Sequence, residues 1–196
     1  MTNLKYNDTK TIYLVRHGQT LFNLQKKIQG FCDSPLTALG IQQAQAARKH
    51  IDSLNIVFDD AYCSTSERAV DTLKILTDIA YTQSKNLREW NFGRLEGEGE
   101  HLNPPLPYQD FFVQFDGEGE ADFQDRISLE IAQCVTNSKG NQILIVSHGA
   151  AIAQFYKRWE SYSSVRRQNR IPNCAIFKYL YVDQSFILQE IIEHDI

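Results

Sequence analysis

Short apolar runs alternate with helix-like patterns along this chain, and two of the runs stop at a histidine followed by a glycine. "TIYLV" (11–15), "DAYCS" (60–64) and "ILIVS" (143–147) have the length and composition of buried strands. Between and after them come helical spacings. Ile41, Ala44, Ala47, Ile51 and Leu54 form one apolar stripe behind a capping Thr37, with Pro35 in the preceding turn. Ser64 and Glu67 make an S-x-x-E capping box ahead of Ala69, Leu73 and Leu76. Phe123, Ile127, Ile131 and Val135 mark a further helix, and "AAIAQFYKRW" another. The alternation predicts an α/β fold with a largely parallel sheet. The tail "AIFKYLYVDQSFILQEII" predicts two strands around a turn at Asp183 and Gln184.

With 196 residues and 42% hydrophobic content, one domain over residues 1–196 is expected. Its irregular part runs from about Asn91 to Glu120, which holds Pro104, Pro105, Pro107 and five of the ten glycines. A segment of that kind in a compact domain reads as a lid-like excursion over a site. Its rings, Tyr108, Phe111, Phe112 and Phe115, are expected to seek burial. Gly30 and Gly93 read as turn glycines. The formal charge of -4 provides no global field for nucleic acid or an anionic membrane. Four cysteines without a C-x-x-C pair suit reduced thiols in a cytoplasmic protein, and no apolar run approaches the ~20 residues of a membrane span. The polar opening "MTNLKYNDTK" shows no signal-peptide core.

Ligands of open α/β sheets bind beyond the carboxyl ends of strands, where strand order reverses. His17 and His148 both stand at such ends, and Arg16 precedes the first, so both imidazoles are expected to face one crevice. Arg68 falls in the first turn of its helix, at the positive end of the helix dipole, where an anionic ligand or a nearby carboxylate would account for it. No H-x-x-x-H or Cys/His spacing accompanies the histidines, and two guanidiniums would repel a metal, so a metal-free site with no cofactor is expected.

"RHGQTLFN", "GFCDSPLTALGIQQA", "STSERAVDT", "LREWNFGRLEG" and "VSHGAAI", in this order from residue 11 to about 153, resemble the histidine phosphatase superfamily, the phosphoglycerate-mutase-like enzymes. "GEGEADFQDR" and "IPNCAIF" extend the resemblance more weakly. It implies a three-layer α/β/α sandwich with a mostly parallel central sheet. It also implies that His17 accepts a phosphoryl group, that Arg16, Arg68, His148 and Asn23 contact phosphate oxygens, and that Glu89 is the general acid and base. Asn23 can equally cap a helix or a loop. Guanidiniums suit the first role because they are permanently charged donor forks. Trp90 and Phe92 beside Glu89 are expected to raise its pKa by desolvation.

Members of the superfamily either hydrolyse the phosphoenzyme or pass the group to a second hydroxyl. The mutase pattern Glu-Arg-His-Tyr-Gly is replaced here by Glu89, Trp90, Asn91, Phe92, Gly93, and the excursion's only evident cations are Arg94 and His101. Hydrolysis of a small phosphorylated metabolite is therefore the favoured expectation, with a phosphoglycerate-type mutase and a non-catalytic phospholigand-binding domain as alternatives. Gln19 and Asp71 depart from the residues usual in the superfamily without touching the proposed core.

Overall fold

A computed structural model describes residues 9–167 and 170–194, so the first eight residues of the polar opening lie outside the described residues. Among the described residues, six strands form one sheet: β1 (Lys10–Arg16), β2 (Asp60–Ser64), β3 (Tyr81–Ser84), β4 (Gln142–Ser147), β5 (Ile176–Val182) and β6 (Ser185–Ile192). The order is β3-β2-β4-β1-β5-β6; the first four are parallel, while β5 and β6 run antiparallel to their neighbours. The helices are α1 (Leu21–Leu24), α2 (Ala38–Ser53), α3 (Glu67–Leu76), α4 (Glu120–Asn137) and α5 (Gly149–Trp159).

Alternate residues of the central strands face opposite layers. Ile12, Leu14, Ile143 and Ile145 meet Phe123, Ile127 and Ile131 of α4 and Phe155 of α5. Tyr13, Val15, Leu144 and Val146 meet Ala44, Ala47 and Ile51 of α2 and Leu73 and Leu76 of α3. Strands covered on both faces are apolar throughout, which is why "TIYLV" and "ILIVS" read as unbroken runs. Burial of one such side chain contributes about 1.5–3 kcal/mol, against at most about 1 for an exposed ion pair like Arg48–Asp52, so burial sets the layers.

Several local expectations are met and several are revised. Thr37 caps α2, its hydroxyl accepting the Gly40 N–H at 3.0 Å. Ile41 and Leu54 are exposed: Ile41 lies about 90° around the helix from the centre of the buried stripe, and Leu54 is already the C-cap. The Ser64–Glu67 capping box does not form, because Ser64 is still the last residue of β2 and Ser66 is the N-cap of α3. Asp33, from a distant loop, takes the Glu67 N–H instead. The polar edge strand β3 carried no apolar run to announce it. The hairpin turn is where expected, with φ of 49° at Asp183 and 60° at Gln184, both in the left-handed region that suits tight hairpins.

The excursion is a built wall with short 3-10 turns at Gly93–Leu95, Glu100–Leu102 and Phe111–Phe115, and α4 already claims Glu120. Backbone bonds of 2.8 Å (Ile28 N–H to Glu98 O, Gly97 N–H to Ile28 O, Glu100 N–H to Lys26 O) zip it to the loop after α1. Phe112 is fully buried against Trp90 and Phe92, Tyr108 and Phe111 pack onto the same cluster, and Phe115 is half-buried. Among the described residues no helix is long and apolar enough to cross a membrane. The four cysteines are free thiols.

Two glycines let the first turn of α2 press on the loop that follows β1. A Cβ on Gly40 would come within 2.1 Å of the Gln19 carbonyl, and one on Gly18 within 2.5 Å of the Gly40 carbonyl. Neither neighbour is a flexible side-chain tip. Gly40→Ala is expected to cost about 1–3 kcal/mol, measured by denaturant unfolding, with an unchanged midpoint contradicting the close contact. Gly93 has a positive φ of 60°, as a turn glycine should, but Gly30 is needed for space, its Cβ position being 2.4 Å from the Trp90 carbonyl.

Candidate active site

Parallel pairing of β1 with β4 sets Arg16 opposite Ser147, and the His17 N–H donates to the Ser147 carbonyl at 3.0 Å. The next residue of each strand is thus delivered to the same level of the crevice. The His17 and His148 rings lie edge to face, with centroids 5.3 Å apart. His17 Nδ1 is 2.7 Å from the Gly18 carbonyl, which can only accept, so Nδ1 carries the proton and Nε2 keeps its lone pair. The surrounding backbone is pinned: the Gly18 N–H donates to Thr72 Oγ1 at 2.9 Å, and Asn173 Nδ2 donates to the His17 carbonyl at 3.0 Å.

Burial, then the Arg68 charge, holds both imidazoles well below the ordinary histidine range. Both are neutral at pH 7. For a base whose pKa is depressed by folding, the unfolded chain binds more protons just below pH 6.5, so stability falls as pH drops through that value. The melting temperature is expected to fall between pH 7 and pH 5, and inorganic phosphate is expected to reduce the fall by stabilising the imidazolium forms. A melting temperature that rises on acidification, or that phosphate leaves untouched, contradicts this arrangement.

Two arginines complete the cup. Arg16 Nη1 donates to the Ile171 carbonyl, and burial, followed by the charge of Arg170, lowers its pKa to about 10, which leaves it cationic. Arg68 is fully buried, with Nη1 on the Cys32 carbonyl (3.0 Å) and Asp33 Oδ1 (2.8 Å) and Nη2 on the Gly30 carbonyl (2.8 Å). The nearby carboxylate that the sequence left open is therefore Asp33, though the arginine is no surface residue. Arg16 Nε, Arg68 Nε and both ring nitrogens of His148 are buried without a protein partner. Buried polar groups in this state cost roughly 1–3 kcal/mol each, and with His148 neutral three of the four are donors, which points to a ligand that supplies acceptors.

Glu89 sits at the N-terminus of α5. Its Oε1 accepts the N–H groups of Trp90 (3.0 Å) and Ala151 (2.9 Å), and Oε2 that of Ala150 (2.9 Å). Burial pushes its pKa above the ordinary carboxylate value, while these amides, Arg68 and Arg16 pull it back; the net direction is upward. The direction expected from Trp90 and Phe92 is thus present, with opposing amides that only the fold reveals. Arg126 braces the same residue: its guanidinium donates to the carbonyls of Asn86, Arg88 and Glu89 and to both oxygens of Glu118. Glu118 and Arg126 belong to the weakly matching "GEGEADFQDR", which is how the sequence could have flagged them.

Asn23 completes a capping box with Thr20, the N-cap of α1, its Oδ1 accepting the Thr20 N–H at 3.2 Å and the Asn173 amide at 3.2 Å, yet it also lines the crevice. The crevice widens from the cup into a cleft of about 910 Å³. Arg16, His17, Asn23 and Glu89 line it directly; Arg68 and His148 do not line it and are fully buried, the His148 ring standing 5.3 Å from that of His17. Beyond them come Lys27, Tyr108, Lys157, Arg167 and Arg170, none of which had a motif to mark it. Cations thus enter from the loop after α1, from the last turn of α5 and from the segment that follows it, a supply that counting charges in the excursion alone did not include. Among the described residues no group of three or more His, Cys, Asp or Glu is placed to hold a metal ion.

A family model described as histidine phosphatase superfamily (branch 1) matches residues 12–193. The chain belongs to the histidine phosphatase superfamily. A protein of Salmonella arizonae named probable phosphoglycerate mutase GpmB is 29% identical over 188 residues, covering 90% of this chain and 87% of that protein. The crystal structure of phosphoglycerate mutase from Bacillus anthracis superposes with a TM-score of 0.79 at 25% identity, covering 93% of this chain and 92% of the other. The crystal structure of phosphoserine phosphatase from Entamoeba histolytica in complex with 3-phosphoglyceric acid gives 0.73 at 26% identity, with 95% and 98% covered. Superfamily members are phosphatases or mutases, so this chain is a superfamily enzyme with a central mixed sheet of six strands flanked by helices, as in its structural neighbours.

Proposed function

We propose that the protein hydrolyses a small phosphorylated metabolite through a phosphohistidine. The observation that carries this reading is a neutral, cleft-lining His17 with Nε2 left unprotonated, its ring 5.3 Å from that of His148, together with the unpartnered buried Nε atoms of Arg16 and Arg68 and ring nitrogens of His148. Nε2 attacks phosphorus in line; the N–P bond forms as the ester P–O bond breaks. Protonated Glu89 gives its proton to the departing alkoxide, otherwise a poor leaving group. In the second half Glu89, now a carboxylate, takes a proton from water as the oxygen attacks phosphorus. The N–P bond breaks, inorganic phosphate leaves, and His17 and Glu89 regain their starting states. The buried guanidiniums stabilise the negative charge carried by the transferring group's oxygens. A bound phosphate anion raises the Glu89 pKa further, favouring the acid form needed first.

A mutase of the phosphoglycerate type is the second reading, favoured by the name of the Salmonella relative and by Lys27 and Arg170 at the cleft wall. The two readings separate on one experiment. A panel of phosphorylated metabolites is assayed for phosphate release and for isomerised product, with and without a bisphosphoglycerate primer. Phosphate release without primer, retained in a chelator and blocked by vanadate, is expected; primer-dependent isomerisation in its place would overturn hydrolysis.

A further inference from the structure

Three separate parts of the fold hold the backbone of His17 and Gly18, and one of them has a second duty. The His17 N–H donates to the Ser147 carbonyl of β4, and the His17 carbonyl accepts the Asn173 amide at 3.0 Å and the Cys174 N–H at 3.4 Å. The Gly18 N–H donates to Thr72 Oγ1 at 2.9 Å. Thr72 belongs to α3 and is fully buried. Its hydroxyl also donates to the Arg68 carbonyl at 2.7 Å, one turn back along the same helix.

The donor directions follow from the partners. A carbonyl only accepts, so the single hydroxyl proton lies toward Arg68 and an oxygen lone pair is left for the Gly18 N–H. A bond from threonine to the carbonyl one turn back is common within helices and by itself says nothing of function. The bond to Gly18 is the informative one, because it spans 54 positions of sequence and ends on the residue whose carbonyl holds His17 Nδ1 at 2.7 Å. Glycine turns about its backbone more freely than any other residue, and a buried N–H without an acceptor is costly. Without Thr72 Oγ1 the Gly18 peptide would turn toward another partner and carry its carbonyl away from the ring. Arg68 is meanwhile clamped at the far end of its side chain by Asp33 and by the Gly30 and Cys32 carbonyls.

We propose that Thr72 is a positioning residue that ties the turn of α3 carrying Arg68 to the loop carrying His17, so that the nucleophile's tautomer and its placement against that guanidinium are set together. Thr72 does not line the cleft, and it acts through Gly18 and Arg68 alone. The inference rests on the phosphoryl-transfer reading of the cup and holds for hydrolase or mutase alike.

The test separates the hydroxyl from the shape. Thr72→Val keeps the volume and removes both hydrogen bonds, whereas Thr72→Ser keeps the hydroxyl and removes a methyl group. Phosphorylation of the full chain by p-nitrophenyl phosphate is followed by rapid quench, alongside steady-state kcat and KM. Thr72→Val is expected to slow phosphoenzyme formation about 10–100-fold with KM changed by less than about twofold, the scale of a misplaced reacting group, while Thr72→Ser stays within about threefold of wild type. A role in packing alone predicts the reverse order, since serine leaves the larger void. Thr72→Ser slowed as much as Thr72→Val, or Thr72→Val matching wild type, overturns the proposal. Should Thr72→Val not fold, Thr72→Ser and Thr72→Ala differ by the hydroxyl alone, and equal rates in that pair overturn it. Nitrogen NMR shifts of the His17 ring, assigned by their loss in His17→Ala, give a readout that needs no turnover. Wild type and Thr72→Ser keep Nδ1 protonated and Thr72→Val populates the Nε2-protonated form; an unchanged tautomer in Thr72→Val rejects the proposal. A wild type that shows this tautomer pattern but forms no phosphoenzyme counts against the phosphoryl-transfer reading and leaves the positioning of His17 by Thr72 supported.

Discussion

On the proposed mechanism His17→Ala is expected to abolish phosphoenzyme formation and to lower kcat by about 10⁴–10⁶-fold, the scale on which loss of a nucleophile acts when the rest of the site is intact. No other side chain in the cup offers the same lone pair. His148 has both ring nitrogens buried beside the guanidiniums, but only His17 has its tautomer set by a neighbouring carbonyl. The variant should fold, because alanine relieves a buried base rather than breaking an ion pair, and its melting temperature in phosphate reports this directly. Rapid quench with a radiolabelled substrate detects the acid-labile phosphohistidine in wild type. A labelled intermediate of undiminished amount in His17→Ala would remove His17 from the nucleophile's role.

Glu89→Gln separates leaving groups. An alkoxide needs a proton as it departs and nitrophenolate does not, so turnover of alkyl phosphates should fall by about 10²–10⁴ while p-nitrophenyl phosphate loses much less in the first half-reaction. Equal losses for both would take Glu89 out of proton transfer. The pH dependence carries the same information. On the proposed mechanism activity requires neutral His17, whose pKa lies well below the ordinary 6.5, and protonated Glu89, whose pKa lies above the ordinary 4.5. In the free enzyme kcat/KM is therefore expected to rise through the lowered His17 pKa and to fall as Glu89 ionises through its raised one. The alkaline limb should vanish in Glu89→Gln; its persistence would assign that limb to another group.

The residues of this site reached the reader of the sequence in very unequal ways. His17, Arg16 and His148 were legible because an apolar run bounded by a His-Gly pair states both the strand and where it ends. Arg68 was legible as an oddity, a cation at the positive end of a helix. Its resolution by Asp33 was not, since Asp33 is 34 positions from Glu67 and 35 from Arg68 at the start of α3, and the two segments meet only when α2 and α3 pack on one face of the sheet. Glu89 was carried by resemblance alone. Its position depends on the first amides of α5, on the five-fold bracing by Arg126, and on Trp90, three elements that share no local pattern.

Local periodicity and end signals were thus enough for the α/β class, for five of the six strands and for the cup's charged residues, because burial on both sheet faces imposes patterns that adjacent residues record. Pairing was beyond them. The register that sets Arg16 against Ser147, the edge strand β3, the misplaced cap at Ser64, and the arrival of Lys27 and Arg170 in one cleft all follow from contacts between distant segments. Such contacts are chosen by the packing of whole layers, and no window of neighbouring residues contains that information.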